Sequence, residues 1–363
     1  SIVLSERVNK RSLPPVELID MAQEFGEGHR KMFSRTLLHE LNCVIEREEK
    51  AVMLLNRRGF AHFLLCRECG YVPRCEHCST SLTVHERTHT LECHTCGRSY
   101  PMLVRCPECD SPYLRAFGSG TQRVEDELKA LLSDQVEIIR MDADTTKGKL
   151  GHEKVLESFD NAKCAVLLGT QMIAKGLDFP EVTLAAVINA DTTLNVPDFR
   201  AAEKTYSLLE QFAGRAGRGE KPGKVLIQTY WAEHPALKAV ASHNRDLFLK
   251  QALSERKEAG YPPFVQLANI IMWGSHEKLV MEELTKLYEV MRAHQRAQKL
   301  EGLEFLGPVA CIIAKAQDKY RYHLLIKAPL DFKLAPLIMG AIKEIRVQKS
   351  ISLAIDINPY DFM

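Results

Sequence analysis

Eight of the chain's eleven cysteines fall between Cys66 and Cys109, every one of them in a C-x-x-C pair: Cys66/Cys69, Cys75/Cys78, Cys93/Cys96 and Cys106/Cys109. A C-x-x-C turn points two thiolates at one centre, and two such turns complete a tetrahedral zinc site. So short a segment has little apolar core of its own, so metal must hold it together. Eight ligands make two sites, and the four pairs admit three pairings. The separation of Cys78 from Cys93 is nearly that of a zinc ribbon, and "TSLTVH" and "HTLEC" can form a hairpin across "ERT" between them. Closing that ribbon leaves the outer pairs facing each other at its base. The expectation is therefore nested: Cys75, Cys78, Cys93 and Cys96 on one Zn2+, and Cys66, Cys69, Cys106 and Cys109 on a second. Iron–sulfur clusters also use cysteine, so the residue type argues more firmly for metal than for its identity. With eight thiolates present, His77, His85, His89 and His94 are expected at the surface or facing a nucleic acid rather than as ligands. Cys43, Cys164 and Cys311 sit in apolar stretches and read as packing residues.

The cysteines interrupt a different pattern. "VELIDM", "AVMLLN", "VEIIRMDAD", "CAVLLGT", "VTLAAVINAD" and "KVLIQTY" read as buried strands. They alternate with helical periods in "SRTLLHELNCVIEREE", "TQRVEDELKALL", "GHEKVLESFDN" and "AAEKTYSLLEQFAG". This spacing predicts βαβ units and a mainly parallel sheet, with the cysteine segment as an insertion. From His234 a helix is expected to run to about Gly260 and stop at "GYPPF". The remainder reads βαββαβ, a small α+β domain with a half-covered sheet. The chain thus divides into 1–65 with 110–232, an insertion over 66–109, a helical connector over 233–262 and a last domain over 263–363. A hydrophobic content of 45% and a net charge of +1 are those of an ordinary globular protein, and any nucleic-acid surface must come from local patches. No run of eighteen apolar residues suggests a spanning helix, and the N-terminus has no secretory pattern, so the default is a cytoplasmic protein with no membrane partner.

Two motifs carry chemistry. "LLGTQMIAKGLDFP" follows a buried strand, which puts Gly169 and Thr170 where ligands bind in open α/β sheets. Thr170, Gln171 and Lys175 can meet a nucleic-acid backbone through hydroxyl, amide and charge. Gly176 permits a tight turn, and Asp178 can orient a group across a cleft. In "QFAGRAGR", Gln211, Arg215 and Arg218 stand at i, i+4 and i+7, one face if the segment stays helical. Arginines so placed suit phosphate, yet the chain has no G-x-x-x-x-G-K-[ST] loop to hold a nucleotide. Taken singly, each motif is an ordinary polar loop or a glycine-rich helix end. Their combination is what argues for a site.

The segments "LLNRRGFAHFLLCRECGYVPRCEHC", "GSGTQRVEDEL", "LLGTQMIAKGLDFPEVTLAAVINAD", "PDFRAAEKTYSLLEQFAGRAGR" and "GYPPF" together resemble the primosomal protein N′ (PriA) family of replication-restart DNA helicases. The resemblance covers essentially the whole chain. It implies a RecA-like (P-loop NTPase type) second helicase lobe of α/β class with an inserted two-zinc module, then the family's C-terminal domain. It implies an ATP-driven 3′–5′ helicase that recognises stalled forks and rebuilds the primosome. Gly169, Thr170, Gln171, Lys175, Gly176 and Asp178 then fall in a motif coupling DNA to nucleotide. Gln211, Arg215 and Arg218 fall in the motif that supplies the arginine finger, with Arg218 favoured. ATP and Mg2+ would be held between two lobes, the first preceding Ser1, so this chain alone is expected to be inactive. Implied partners are single-stranded and forked DNA, single-strand-binding protein and other primosome proteins, at the nucleoid.

In "KYRYHLL", cations and aromatics interleave on a predicted strand, with Tyr320 and Tyr322 on one side and Lys319 and Arg321 on the other. Such a strand can stack bases and hold phosphates, or it can be an ordinary edge strand. The resemblance tips these residues toward DNA or partner contact. The competing reading of the whole chain is a non-enzymatic, zinc-dependent DNA-binding and assembly module.

Overall fold

The computed structural model describes residues 13–55, 63–78, 80–85, 88–117, 121–132, 136–141, 151–174, 179–219 and 221–360. The chain opens with β1 (Val16–Asp20), α1 (Met21–Gly26), α2 (Arg35–Glu46) and β2 (Lys50–Leu54). The insertion follows as β3 (Phe63–Cys66), β4 (Thr83–His85), β5 (Thr90–Glu92), β6 (Ser99–Pro101) and β7 (Leu114–Phe117). The alternation resumes with α3 (Thr121–Leu131), β8 (Glu137–Met141), α4 (Gly151–Asn161), β9 (Ala165–Gly169), α5 (Gln171–Ala174) and β10 (Val182–Val187). Then come α6 (Asp191–Leu194), α7 (Ala201–Ala213), β11 (Lys224–Thr229), α8 (Pro235–Ala241) and α9 (Arg245–Glu258). The last domain is β12 (Gln266–Gly274), α10 (Glu277–Ala297), β13 (Glu304–Ala316), β14 (Lys319–Ala328), α11 (Leu334–Ile345) and β15 (Ser352–Ile357).

The first sheet is six-stranded and parallel, in the order β1-β11-β10-β2-β9-β8. Strands β2, β9 and β10 are buried along their whole length, which is why they read as unbroken apolar runs. Leu37, Leu41, Val124 and Leu128 from α2 and α3 cover one face. Phe159, Ile173, Leu208, Phe212, Leu237 and Phe248 cover the other. Ser34 starts α2 as the sequence suggests, its Oγ accepting the Leu37 amide at 3.0 Å, a cap worth about 1 kcal/mol.

The second sheet is antiparallel, in the order β13-β14-β12-β15, with α10 and α11 packed on one side. Alternation sorts its side chains: Ala268, Ile270, Met272, Leu324 and Ile326 face the helices, while Leu267 and Leu325 face the insertion.

Two local expectations change. The helix expected from His234 to Gly260 is two helices, α8 and α9. His243 takes a positive φ of 51° between them, and Asn244 starts the second by accepting the Leu247 amide at 3.2 Å. Strand β14 is interior to its sheet, not an edge.

Candidate metal centres and motor site

Three of the C-x-x-C pairs are tight turns closed by backbone bonds. Gly70 N donates to Cys66 O (2.9 Å), Gly97 N to Cys93 O (2.8 Å) and Asp110 N to Cys106 O (2.9 Å). The residue after each of these pairs has positive φ: 74° at Gly70, 78° at Gly97 and 56° at Asp110. The thiols gather in two groups, Cys66, Cys69, Cys106 and Cys109, and Cys75, Cys78, Cys93 and Cys96, each with its sulfurs within 4.8 Å of one another. Cys66–Cys109, Cys69–Cys106 and Cys75–Cys96 Sγ separations are 3.7, 3.5 and 3.7 Å. A tetrahedron with Zn–S of about 2.3 Å has edges of about 3.8 Å, so both groups fit zinc. The grouping is the nested one, with β4 and β5 between the inner pairs, β6 after them, and the two-stranded β3-β7 sheet flanking the outer pairs.

The two centres face different neighbours. At the outer one, Gly70 lies so close to Tyr230 O that a Cβ has no room. Tyr113 packs edge-on to Phe25 at 5.2 Å. The inner ribbon shares an apolar core with Leu267, Leu306 and Leu325 of the second sheet. His94, expected at the surface, is 5% exposed and spans that joint. Its Nδ1 donates to Ala310 O (3.1 Å), and its carbonyl accepts from His323 Nε2 (2.8 Å). His85 Nε2 meets His94 Nε2 at 3.2 Å, and His77 pairs with Glu304 at 3.2 Å. Nothing local in the sequence signals the partners of His94 and His77, because Ala310, His323 and Glu304 all come from the second sheet.

Gly169 and Thr170 stand at the carboxyl end of β9, and Leu55 N donates to Gly169 O at 2.8 Å. Because β9 and β10 are parallel, the chain must cross from the carboxyl to the amino edge of the sheet between them. Gln171 opens α5 on that crossover; Lys175, Gly176 and Asp178 lie outside the described residues. The arginine motif sits at the amino edge. It does not remain helical: α7 ends at Ala213, so Gln211, Arg215 and Arg218 do not form one helical face. Gln211 is exposed and donates to Ser207 Oγ (3.2 Å). Arg215 is 8% exposed, and its Nη2 donates to Ala174 O at 2.7 Å, tying the turn to the crossover. Arg218 is exposed, and its Nε donates to Gly214 O at 2.8 Å. Three glycines shape the turn. Gly217, at φ 65°, donates its amide to Val182 O (3.0 Å) and backs onto Gly223, while Gly219 backs onto Pro180 O.

On β14, Tyr320 and Tyr322 do lie opposite Lys319 and Arg321. Tyr322 packs with the helix-side core and donates to Glu277 Oε1 at 2.8 Å. Lys319 and Arg321 share the open face with Ile271 and Trp273, and Trp273 pairs with Arg321 in register. The aromatic beside the cations is thus Trp273, a strand away in sequence, which the local motif could not name.

Three family matches and several relatives accompany this geometry. Residues 257–360 match the family described as Primosomal protein N C-terminal domain, and residues 116–220 the Helicase conserved C-terminal domain. Residues 75–101 match the PriA DNA helicase Cys-rich region (CRR) domain. The chain is 45% identical over 365 residues to the replication restart protein PriA of Bacillus subtilis, covering 99% of this chain and 44% of that protein. It is 39% identical over 360 residues to its namesake in Synechocystis sp., covering 98% and 42%. The chain spans less than half the length of these two relatives. A solved structure, Mss116p DEAD-box helicase domain 2 bound to an RNA duplex, is 12% identical at a TM-score of 0.33 over 78% of this chain and 75% of that one, too loose a likeness to bear on the site. Among the described residues no helix is long and apolar enough to cross a membrane.

Proposed function

The chain belongs to the PriA family of replication restart helicases, and we propose that it supplies the second motor lobe, zinc module and C-terminal domain of an ATP-dependent 3′–5′ DNA helicase acting at stalled forks. In this reading 1–65 with 110–232 is the motor lobe, 66–109 the zinc insertion, 233–262 a connector and 263–363 the C-terminal domain. The observation that carries it is the bond from Arg215 to Ala174 O. It joins the crossover that begins at Thr170, on the carboxyl edge, to the turn bearing Arg218, on the amino edge. A strand held at one edge and a nucleotide held at the other would be coupled through that single turn. Thr170 and Gln171, with Lys175, Gly176 and Asp178, would hold the DNA backbone. Buried Arg215 positions the turn, exposed Arg218 is the finger, and Gln211 stands in the last turn of α7 that leads into it. ATP and Mg2+ would take their remaining contacts from the rest of a PriA-length protein. Two zinc ions would hold the insertion folded. The partners are single-stranded and forked DNA, single-strand-binding protein and other primosome proteins in the cytoplasm, with Lys319, Arg321 and the tyrosines' strand as a contact surface.

The test is Arg218→Ala in the PriA-length protein. A finger removed from the transition state costs on the order of 10³-fold in turnover. ATP affinity should stay within a few-fold and DNA binding should persist. Weaker ATP binding with normal turnover at saturation would make Arg218 a binding residue. The second reading, a non-enzymatic zinc-dependent assembly module, is favoured by the core shared between the ribbon and the second sheet. It predicts that restart survives loss of Arg218.

A further inference from the structure

The segments "PDFRAAEKTYSLLEQFAGRAGR" and "GYPPF" meet in the fold, at the end of the first that lies away from its arginines. Phe199 stands two residues before α7, and Tyr261 three residues after α9. Their ring centres lie 4.3 Å apart and their planes within 6° of parallel, a stacked pair. Tyr261 is 2% exposed. Cations flank both rings. The Arg200 and Arg256 guanidinium carbons lie 4.2 and 5.0 Å from the Phe199 centre, and Lys327 Nζ lies 4.4 Å from that of Tyr261. The Tyr261 hydroxyl has no hydrogen-bond partner among the described residues, so the contact is made by the ring.

The stack joins three parts of the fold. Lys327 comes from β14, and its Nζ donates to Ala259 O at 3.0 Å. Arg256 comes from α9; its Nη1 donates to Pro262 O at 2.7 Å, and its Nη2 pairs with Glu203 of α7. Asp198, 4% exposed, accepts the Arg200 amide at 2.8 Å and Lys204 Nζ at 2.6 Å, which fixes the entry to α7. The large buried residues of α7, Leu208, Leu209 and Phe212, all lie in its C-terminal half, and its first half buries only Ala201 and Thr205 outright. The apolar core therefore seats the end near the arginines and leaves the other end to polar and aromatic contacts. A helix of 13 residues is a rod of about 20 Å, so a shift at Phe199 is delivered at Ala213, two residues before Arg215.

We propose that Phe199 and Tyr261 are positioning residues for the arginine turn: their stack sets the axial place of α7, and thereby where Arg218 stands when it meets a nucleotide. The inference rests on the reading of Arg218 as a finger and adds what aims it. Both residues act through α7, and β14 backs the stack through Lys327. Parallel rings fix a separation and a tilt, whereas an aliphatic side chain of similar bulk fills the space and fixes neither.

The test is steady-state ATP hydrolysis by the PriA-length protein at saturating single-stranded DNA, with kcat and KM read separately. Tyr261→Leu keeps apolar bulk and loses the ring. It should lower kcat about tenfold or more, short of the roughly 100-fold of a full 1 Å misplacement, and leave KM for ATP within about twofold. Tyr261→Phe keeps the ring and should turn over as the parent does. Phe199→Leu should match Tyr261→Leu, and the double variant should be no slower than either single one, because the same contact is lost once. Leu337→Ala, in the helix-side core of the second sheet, is the control for lost stability; it should lower the urea midpoint at least as far and leave kcat alone. If Tyr261→Leu keeps the parental kcat while Arg218→Ala loses it, the stack aims nothing and the finger reading stands. If Arg218→Ala also turns over normally, the finger reading falls and this inference with it. A kcat lost equally in Tyr261→Phe or in Leu337→Ala, or a raised KM at normal kcat, would also overturn the positioning role.

Discussion

Substituting Gly223 by alanine isolates the turn that carries both arginines. Gly223 is not among the glycines at positive φ, so an added methyl brings no left-handed backbone strain. It brings a collision. The new Cβ would lie 2.6 Å from Ala216 C and 2.7 Å from Gly217 Cα, with Gly217 N closer still. Carbon contacts settle at about 3.5–4.0 Å, so backbone on one side must move by about 1 Å. Overpacking of this kind costs about 1–3 kcal/mol. The displaced residues lie between Arg215 and Arg218, and a 1 Å misplacement of a catalytic group costs about 100-fold in rate. Gly223→Ala should therefore lower the urea midpoint of the chain and speed hydrogen exchange at the Gly217 amide, whose acceptor is Val182 O. In the PriA-length protein it should cut ATP turnover about 100-fold. Gly340→Ala is the counterpart. Inside α11, a Cβ there meets nothing within 4 Å, so this change should stabilise by about 0.5–1 kcal/mol. A Gly223→Ala protein with unchanged midpoint and unchanged Gly217 protection would refute the locked turn.

The remaining expectations are direct. Metal analysis should return two zinc ions per chain, and Cys75→Ser should release one while the group of Cys66, Cys69, Cys106 and Cys109 stays filled; loss of both, or loss from the outer group, breaks the assignment. Burial, then the nearby Arg74 charge, pushes the His234 imidazole down to about 4, while the unfolded chain keeps about 6.5. The native state therefore holds fewer protons, so stability present above pH 6.5 is lost as pH falls toward 4, by up to about 3 kcal/mol. His234→Asn, which can still cap α8, should flatten that part of the pH profile of urea unfolding, and an unflattened profile assigns the loss elsewhere. Lys319→Ala/Arg321→Ala should weaken DNA or partner binding and lower its salt dependence, whereas Tyr322→Phe should cost about 1 kcal/mol of stability through its lost bond to Glu277 and leave binding alone. Equal binding by the first variant returns β14 to a purely structural role.

What could be read from the sequence was whatever depends on neighbours along the chain. Unbroken apolar runs such as Val182–Val187 announce strands buried on both faces, and Ser34 announces a helix start. The nested cysteine pairing was one of three, favoured because closing the inner ribbon leaves the outer turns side by side. What escaped was set by residues far apart in sequence. Arg215 looked like a companion of Arg218, yet α7 ends two residues before it and its guanidinium turns inward to Ala174. Tyr322 looked available for stacking, but its face of β14 is covered by α10. The break at His243 left no glycine or proline as a signal, because a single residue at positive φ carries it.

The ribbon's seat also determines how load travels. Ser81 Oγ on the insertion donates to Asn195 O of the parallel-sheet domain at 2.5 Å, while His94 holds β13 and β14. The connector makes a second link, where Tyr261 stacks on Phe199 with ring centres 4.3 Å apart and planes within 6°. Parallel-sheet domain, ribbon, second sheet and α8–α9 segment thus close into a ring. A tug on the open face at Trp273 is shared between two parallel struts, so the C-terminal domain cannot swing about either one as a hinge. Cutting one strut turns a rigid frame into a pendulum.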